Sequence, residues 1–140
     1  MEKKIKAPRM TFRVHTKSVL AVTVLHVGDR SPLVVSGGED KHLVVSSLAT
    51  GNGIVTLEGH VQKITAICTT ECKGRVYLVS CSWDETVRCW PASCLLDVDN
   101  DRTSITEDEK EGIKSKCLVL RGHRNRVYDV AALRVSIYCV

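Results

Sequence analysis

Three groups of residues in this 140-residue chain have types and spacings that could do chemistry. His60, Ser80 and Asp84 are the side chains of a hydrolase triad, in which a carboxylate orients an imidazole and the imidazole activates a hydroxyl. Cys68 with Cys72, and Cys89 with Cys94, have the close spacing of paired zinc ligands. Asp97, Asp99 and Asp101 begin like a calcium-binding loop.

Each reading has a requirement the sequence can be held to. A triad needs an exposed nucleophile and an oxyanion hole, but Ser80 lies in the apolar run YLVSCS with no Gly-x-Ser-x-Gly elbow. No catalytic residue is assigned. Cys68 and Cys89 fall inside strand-like runs, where a free thiol serves as a small hydrophobe. No metal ligand is assigned, and a Cys-based metal-binding module stands only as an alternative. The calcium pattern breaks where Arg102 replaces the turn glycine and Asp108 the final glutamate, and no helix precedes it. No cofactor is implied.

The chain is 44% apolar, rich in Val, and long enough for one domain with a core, so it reads as folded and β-rich. A net charge of +4 is too small and too dispersed to point to nucleic acid. No apolar run approaches the roughly 18–20 residues that span a membrane, and no apolar stretch follows the basic start MEKKIK, so no membrane or export role is expected. Seven Cys without an export signal suggest reduced thiols and an intracellular, cytoplasmic or nuclear location.

What positions the candidate residues is an internal repeat. FRVHTKSVLAV, LEGHVQKITAI and LRGHRNRVYDV each carry an apolar residue three before a His and another four after it, anchored on His15, His60 and His123. His15 lies 25 residues before Asp40, and His60 24 before Asp84; aligning the two aspartates puts Ser36 on Ser80. The repeat is 45 residues from His15 to His60 and 63 from His60 to His123, which places an insertion of about 18 residues in the second unit. Short β-runs separated by turn signals predict strands near Val19–Leu25, Leu33–Ser36, Leu43–Ser46 and Ile54–Leu57. The second unit repeats them near Ile64–Thr69, Val76–Ser80, Thr86–Trp90 and Cys117–Leu120, with a turn at TECKGR.

This pattern resembles the WD-repeat family. Gly59-His60 and Gly122-His123 match its Gly-His element, and LVSCSWDETVRCW matches its Leu-x-Ser-x-x-x-Asp-x-Thr-Val-x-x-Trp line. The literal Trp83-Asp84 is not the dipeptide that names the family; that one closes the third strand and here reads Trp90-Pro91. The resemblance implies an all-β fold, an incomplete β-propeller of four-stranded antiparallel blades. Its divisions would be a degenerate repeat over 10–57, a repeat over 58–120 with an acidic insertion at about 93–115, and a truncated repeat over 121–140. It also implies that His60, Ser80, Asp84 and Trp90 form a structural hydrogen-bond network rather than a catalytic set.

The resemblance further implies a non-catalytic protein-interaction scaffold, a fragment or truncated form of a larger propeller. The alternative is a truncated product without independent function. The face of the Gly-His loops and Asp turns would bind protein partners through Lys17, Ser18, Glu39, Lys63, Trp83, Arg124 and Arg126. An exposed Trp beside cations suits an acidic or phosphorylated peptide. Open blade edges would permit self-association. In the insertion, Ser104 and Thr106 each precede an acidic residue by three, which makes both candidate phosphorylation sites and suggests a helix from Thr106 opened by a Ser104–Glu107 capping box.

Overall fold

The computed structural model describes residues 10–96 and 106–132. Eight strands form two four-stranded antiparallel sheets. The first holds β1 (Val19–Leu25), β2 (Leu33–Gly38), β3 (Leu43–Ser47) and β4 (Gly53–Leu57), paired in chain order. The second holds β5 (Ile64–Cys72), β6 (Arg75–Ser82), β7 (Val87–Pro91) and β8 (Leu118–Leu120), also in chain order. Two helices, α1 (Ser93–Leu96) and α2 (Glu107–Lys116), lie between β7 and β8. The fold is all-β, built of propeller-type blades.

The strands form where β-branched residues cluster, and most run further than their sequence signals suggest. β5 continues to Cys72 because its hairpin needs only two residues, Lys73 and Gly74, with φ of 50° and 73°. Such a two-residue loop with both φ positive matches the twist of the strands it joins. β2 and β6 likewise reach Gly38 and Ser82, while β8 starts one residue late, at Leu118.

The core lies between the two sheets. One face of the first sheet contributes Leu25, Leu33, Val35, Leu43, Val45, Val55 and Leu57. From the second sheet come Ile64, Leu78 and Trp90. The sheets meet tightly at Gly37: a Cβ there would lie 2.9 Å from Ile64 Cγ2 and 3.1 Å from Ile67 Cδ1. The missing side chain is therefore the socket into which β5 packs against β1 and β2. Burying each large aliphatic side chain at this seam stabilises the pair by about 1.5–3 kcal/mol.

The insertion is helical at both ends. α1 buries Cys94 and Leu95 in the core, and α2 adds Ile113 to the same cluster. The capping box is Thr106–Glu109, not Ser104–Glu107: Glu109 N donates to Thr106 Oγ1 at 3.4 Å, and Thr106 N donates to Glu109 Oε2 at 2.8 Å. Thr106 wins because its extended φ and ψ of −70° and 158° place it just ahead of the first helical turn. Ser104, Asp97, Asp99, Asp101 and Arg102 lie outside the described residues.

Candidate functional site

The turn between β6 and β7 builds the first half of the site. Ser82 N donates to Thr86 O at 3.3 Å, closing a tight loop in which Glu85 takes a φ of 68°. Asp84 N donates to Ser82 Oγ at 3.1 Å, which fixes the carboxylate over the loop entering β5. There Asp84 accepts four hydrogen bonds: His60 Nδ1 at 2.7 Å, Val61 N at 3.1 Å, Thr86 N at 3.0 Å and Thr86 Oγ1 at 2.6 Å.

Those contacts set the protons. A carboxylate only accepts, so His60 carries its proton on Nδ1, and Nε2 accepts from Ser80 Oγ at 2.9 Å. Ser80 Oγ in turn accepts from Trp90 Nε1 at 3.1 Å. The chain runs Trp90 to Ser80 to His60 to Asp84, with Thr86 closing it. The structure thus brings together all four of the residues His60, Ser80, Asp84 and Trp90, and adds Thr86, 5% exposed, which sequence reasoning left out. The Asp-x-Thr spacing was the available signal for Thr86.

Burial pushes the His60 imidazole below its ordinary pKa, partly opposed by the hydrogen bond and charge of Asp84, so the ring is neutral. Burial alone would raise the Asp84 carboxyl, but the hydrogen bonds from Thr86, His60 and Val61 together hold it below the usual carboxylate range. The distances match a Ser-His-Asp triad, yet Ser80 has no exposed surface and its oxygen already accepts the Trp90 indole N–H. A substrate carbonyl has no path to it.

The first blade holds the same network with two members changed. His15 Nδ1 donates to Asp40 Oδ2 at 2.8 Å, and Ser36 Oγ donates to His15 Nε2 at 2.8 Å. Ser46 stands in place of Trp90, and His42 in place of Thr86. Both Ser46 Oγ and His42 Nδ1 are buried with no hydrogen-bond partner. The degeneracy read from the sequence is thus a physical shortfall of one donor to Ser36 and one to Asp40.

The zinc-like Cys pairs do not converge. On β5 a separation of four residues sets Cys68 and Cys72 about 13 Å apart, beyond what one tetrahedral metal can bridge. Cys94 is in the core, whereas Cys68 and Cys89 flank Val79 on the opposite face of the second sheet. Among the described residues no three His, Cys, Asp or Glu side chains are grouped to hold a metal ion. Burial raises the pKa of the Cys68, Cys81, Cys89 and Cys117 thiols, which keeps them protonated.

The second half of the site is the turn face itself. Trp83 N donates to Lys63 O at 3.2 Å, the counterpart of Glu39 N to Ser18 O at 3.0 Å in the first blade. The same backbone frame therefore presents Ser18 and Glu39 on one blade, and Lys63 and Trp83 on the next. Beyond β8 the chain returns to this frame: Val127 N donates to Ser82 O at 3.1 Å, and Thr65 Oγ1 donates to Val127 O at 2.8 Å. That places Arg126 beside Trp83.

Trp83 is half-buried rather than exposed, because cations cover it. Lys63 Nζ lies 3.6 Å and Arg126 Cζ 4.0 Å from its ring centroid. Tyr128, 63% exposed and unremarked in the sequence, meets the ring edge-on at 6.1 Å. Lys17, Ser18 and Arg124 are exposed and Glu39 is half-buried, and among the described residues the cations stacked on the Trp83 ring are Lys63 and Arg126.

A comparison with curated proteins gives no match. A family model does match: the WD domain, G-beta repeat, aligns with residues 6–45 and again with residues 51–91, more than half of the chain. The two matched stretches carry the two His–Asp networks and the Gly37 seam. The chain belongs to the WD domain, G-beta repeat family.

Proposed function

We propose that the protein is a non-catalytic interaction scaffold that binds protein partners on the face carrying its Asp turns. WD repeats as a class support protein–protein contact. The observation that carries the reading is the Lys63–Trp83–Arg126 cluster, an aromatic anchor and two cations held on one backbone frame. Lys17, Ser18, Glu39 and Arg124 would supply the rim. The positive charge of the cluster favours an acidic or phosphorylated peptide over a basic one.

The apolar face of β1 supports a further element of this reading. Val19 and Val22 are 53% and 65% exposed, while their second-blade counterparts Ile64 and Ile67 are packed into the seam at Gly37. Another blade, from a larger propeller or a second copy, would cover them in the same way. The unpaired thiols of the described residues suit a reducing, intracellular setting. The exposed Thr106 is retained as a candidate for an acid-directed kinase; its absence from phosphate maps of protein isolated from cells would remove it.

The test is affinity capture with the intact chain against a double charge reversal, Lys63→Glu with Arg126→Glu. The expected result is loss of the captured partners with an unchanged circular dichroism spectrum. Identical partner sets for both proteins would place binding elsewhere.

A further inference from the structure

We infer that Lys63, Trp83 and Arg126 form a phosphoryl-binding site closed on itself, in which the cations leave the indole for the phosphoryl group of a partner peptide. This rests on the turn-face reading above and narrows it to one ligand group. Three observations carry it. First, both cations sit on one ring, and among the described residues neither forms an ion pair with a carboxylate. Of the nearby acids, Asp84 is committed to His60 and Thr86, and Asp129 accepts from Val130 N at 2.8 Å. Second, Trp83 Nε1 is buried and has no acceptor. An indole N–H left so is a donor awaiting a partner. Third, Arg126 is exposed and Lys63 half-buried, so both side chains have room to swing outward.

Charge decides which anion fits. Taking both cations off the ring gives up two cation–π contacts. A carboxylate has one charge and two oxygens, and a bidentate contact with Arg126 exhausts it. A phosphoryl group carries nearly two charges and three acceptor oxygens. It can hold the Arg126 fork and Lys63 together and still accept from Trp83 Nε1. The site therefore reads phosphorylation of its partner, and the cations shield the indole until that ligand arrives.

The experiment follows the two indole N–H signals of the intact chain by NMR, with Trp83→Phe used only to assign the Trp83 peak. Three heptapeptides with neutral flanks are titrated, identical except for a central phosphoserine, glutamate or serine; inorganic phosphate is the control. The phosphoserine peptide is expected to move the Trp83 peak saturably and to bind at least tenfold tighter than the glutamate peptide. Lys63→Ala and Arg126→Ala should each weaken it about tenfold. Equal binding of the glutamate and phosphoserine peptides overturns the phosphoryl inference while leaving an acidic-peptide surface intact. A motionless Trp83 peak overturns it too, and if the charge-reversed protein also captures the same partners, the turn-face reading falls with it.

Discussion

Replacing Asp84 with Ala tests the central structural argument, because the same change at Asp40 provides an internal comparison. Asp84 accepts from two buried donors, the His60 Nδ1–H and the Thr86 hydroxyl, besides two backbone N–H groups. Val61 N is exposed and water can take it. The two buried side-chain donors are shut off from water and keep only the long 3.4 Å contact between Thr86 Oγ1 and His60 Nδ1, and each costs up to about 1–3 kcal/mol when left unpaired. The expected loss for Asp84→Ala is therefore about 2–6 kcal/mol, a large share of the roughly 5–15 kcal/mol that holds a domain folded. Among the described residues Asp40 accepts from one buried side-chain donor, His15 Nδ1, together with exposed Thr16 N and a long 3.4 Å contact from His42 N. Asp40→Ala should then cost about 2 kcal/mol less than Asp84→Ala. Urea unfolding followed by circular dichroism gives both values, provided the slope m is unchanged. Thr86→Val, which removes one buried donor and leaves Asp84 the other three contacts, should cost about 1 kcal/mol and serves if Asp84→Ala does not fold. An Asp40→Ala loss equal to or larger than that of Asp84→Ala would refute the claim that the missing Trp and Thr weaken the first blade.

Three other outcomes follow from the same contacts. His60 has a folded pKa below its ordinary value of about 6.5, so the unfolded chain takes up a proton that the folded ring refuses. Stability should fall as pH drops below about 6.5, and again below about 3.9, where the depressed carboxyls of Asp84 and Asp40 begin to lose their advantage; a urea midpoint flat from pH 7 to 5 would contradict the His60 part. Thr106→Ala removes the capping box and should destabilise α2 by about 1 kcal/mol, read as faster amide exchange over 107–113 with β5 and β6 unaffected. Gly38→Ala should cost about 1–3 kcal/mol or more, because its Cβ would sit 2.1 Å from the Ser18 carbonyl oxygen, a backbone atom that cannot step aside; a thermal midpoint equal to that of the parent would show the turn is looser than drawn.

The fold was legible because the repeat states it twice. Ser80 and Trp90 lie on the adjacent strands β6 and β7, while His60 sits in the loop before β5 and Asp84 in the β6–β7 turn, and the same offsets recur from His15 to Ser36 and Asp40 in the first blade. The seam partners were legible in part: Ile64 and Ile67 are apolar at the right register, but their socket is Gly37, and an absent side chain leaves no pattern in a hydrophobicity reading. The Trp83 cluster was harder for a different reason. Its members come from three loops, and what gathers them is backbone: Trp83 N on Lys63 O, and Val127 N on Ser82 O. Side-chain types at residues 63, 83 and 126 suggest a basic, aromatic surface, but only those bonds turn a Trp expected to be exposed into a covered one. The distinction matters for function. An open Trp among cations is a docking anchor for many acidic partners, whereas under the proposed reading an indole already occupied by Lys63 and Arg126 would bind only what can outcompete them, and that requirement would make the surface selective.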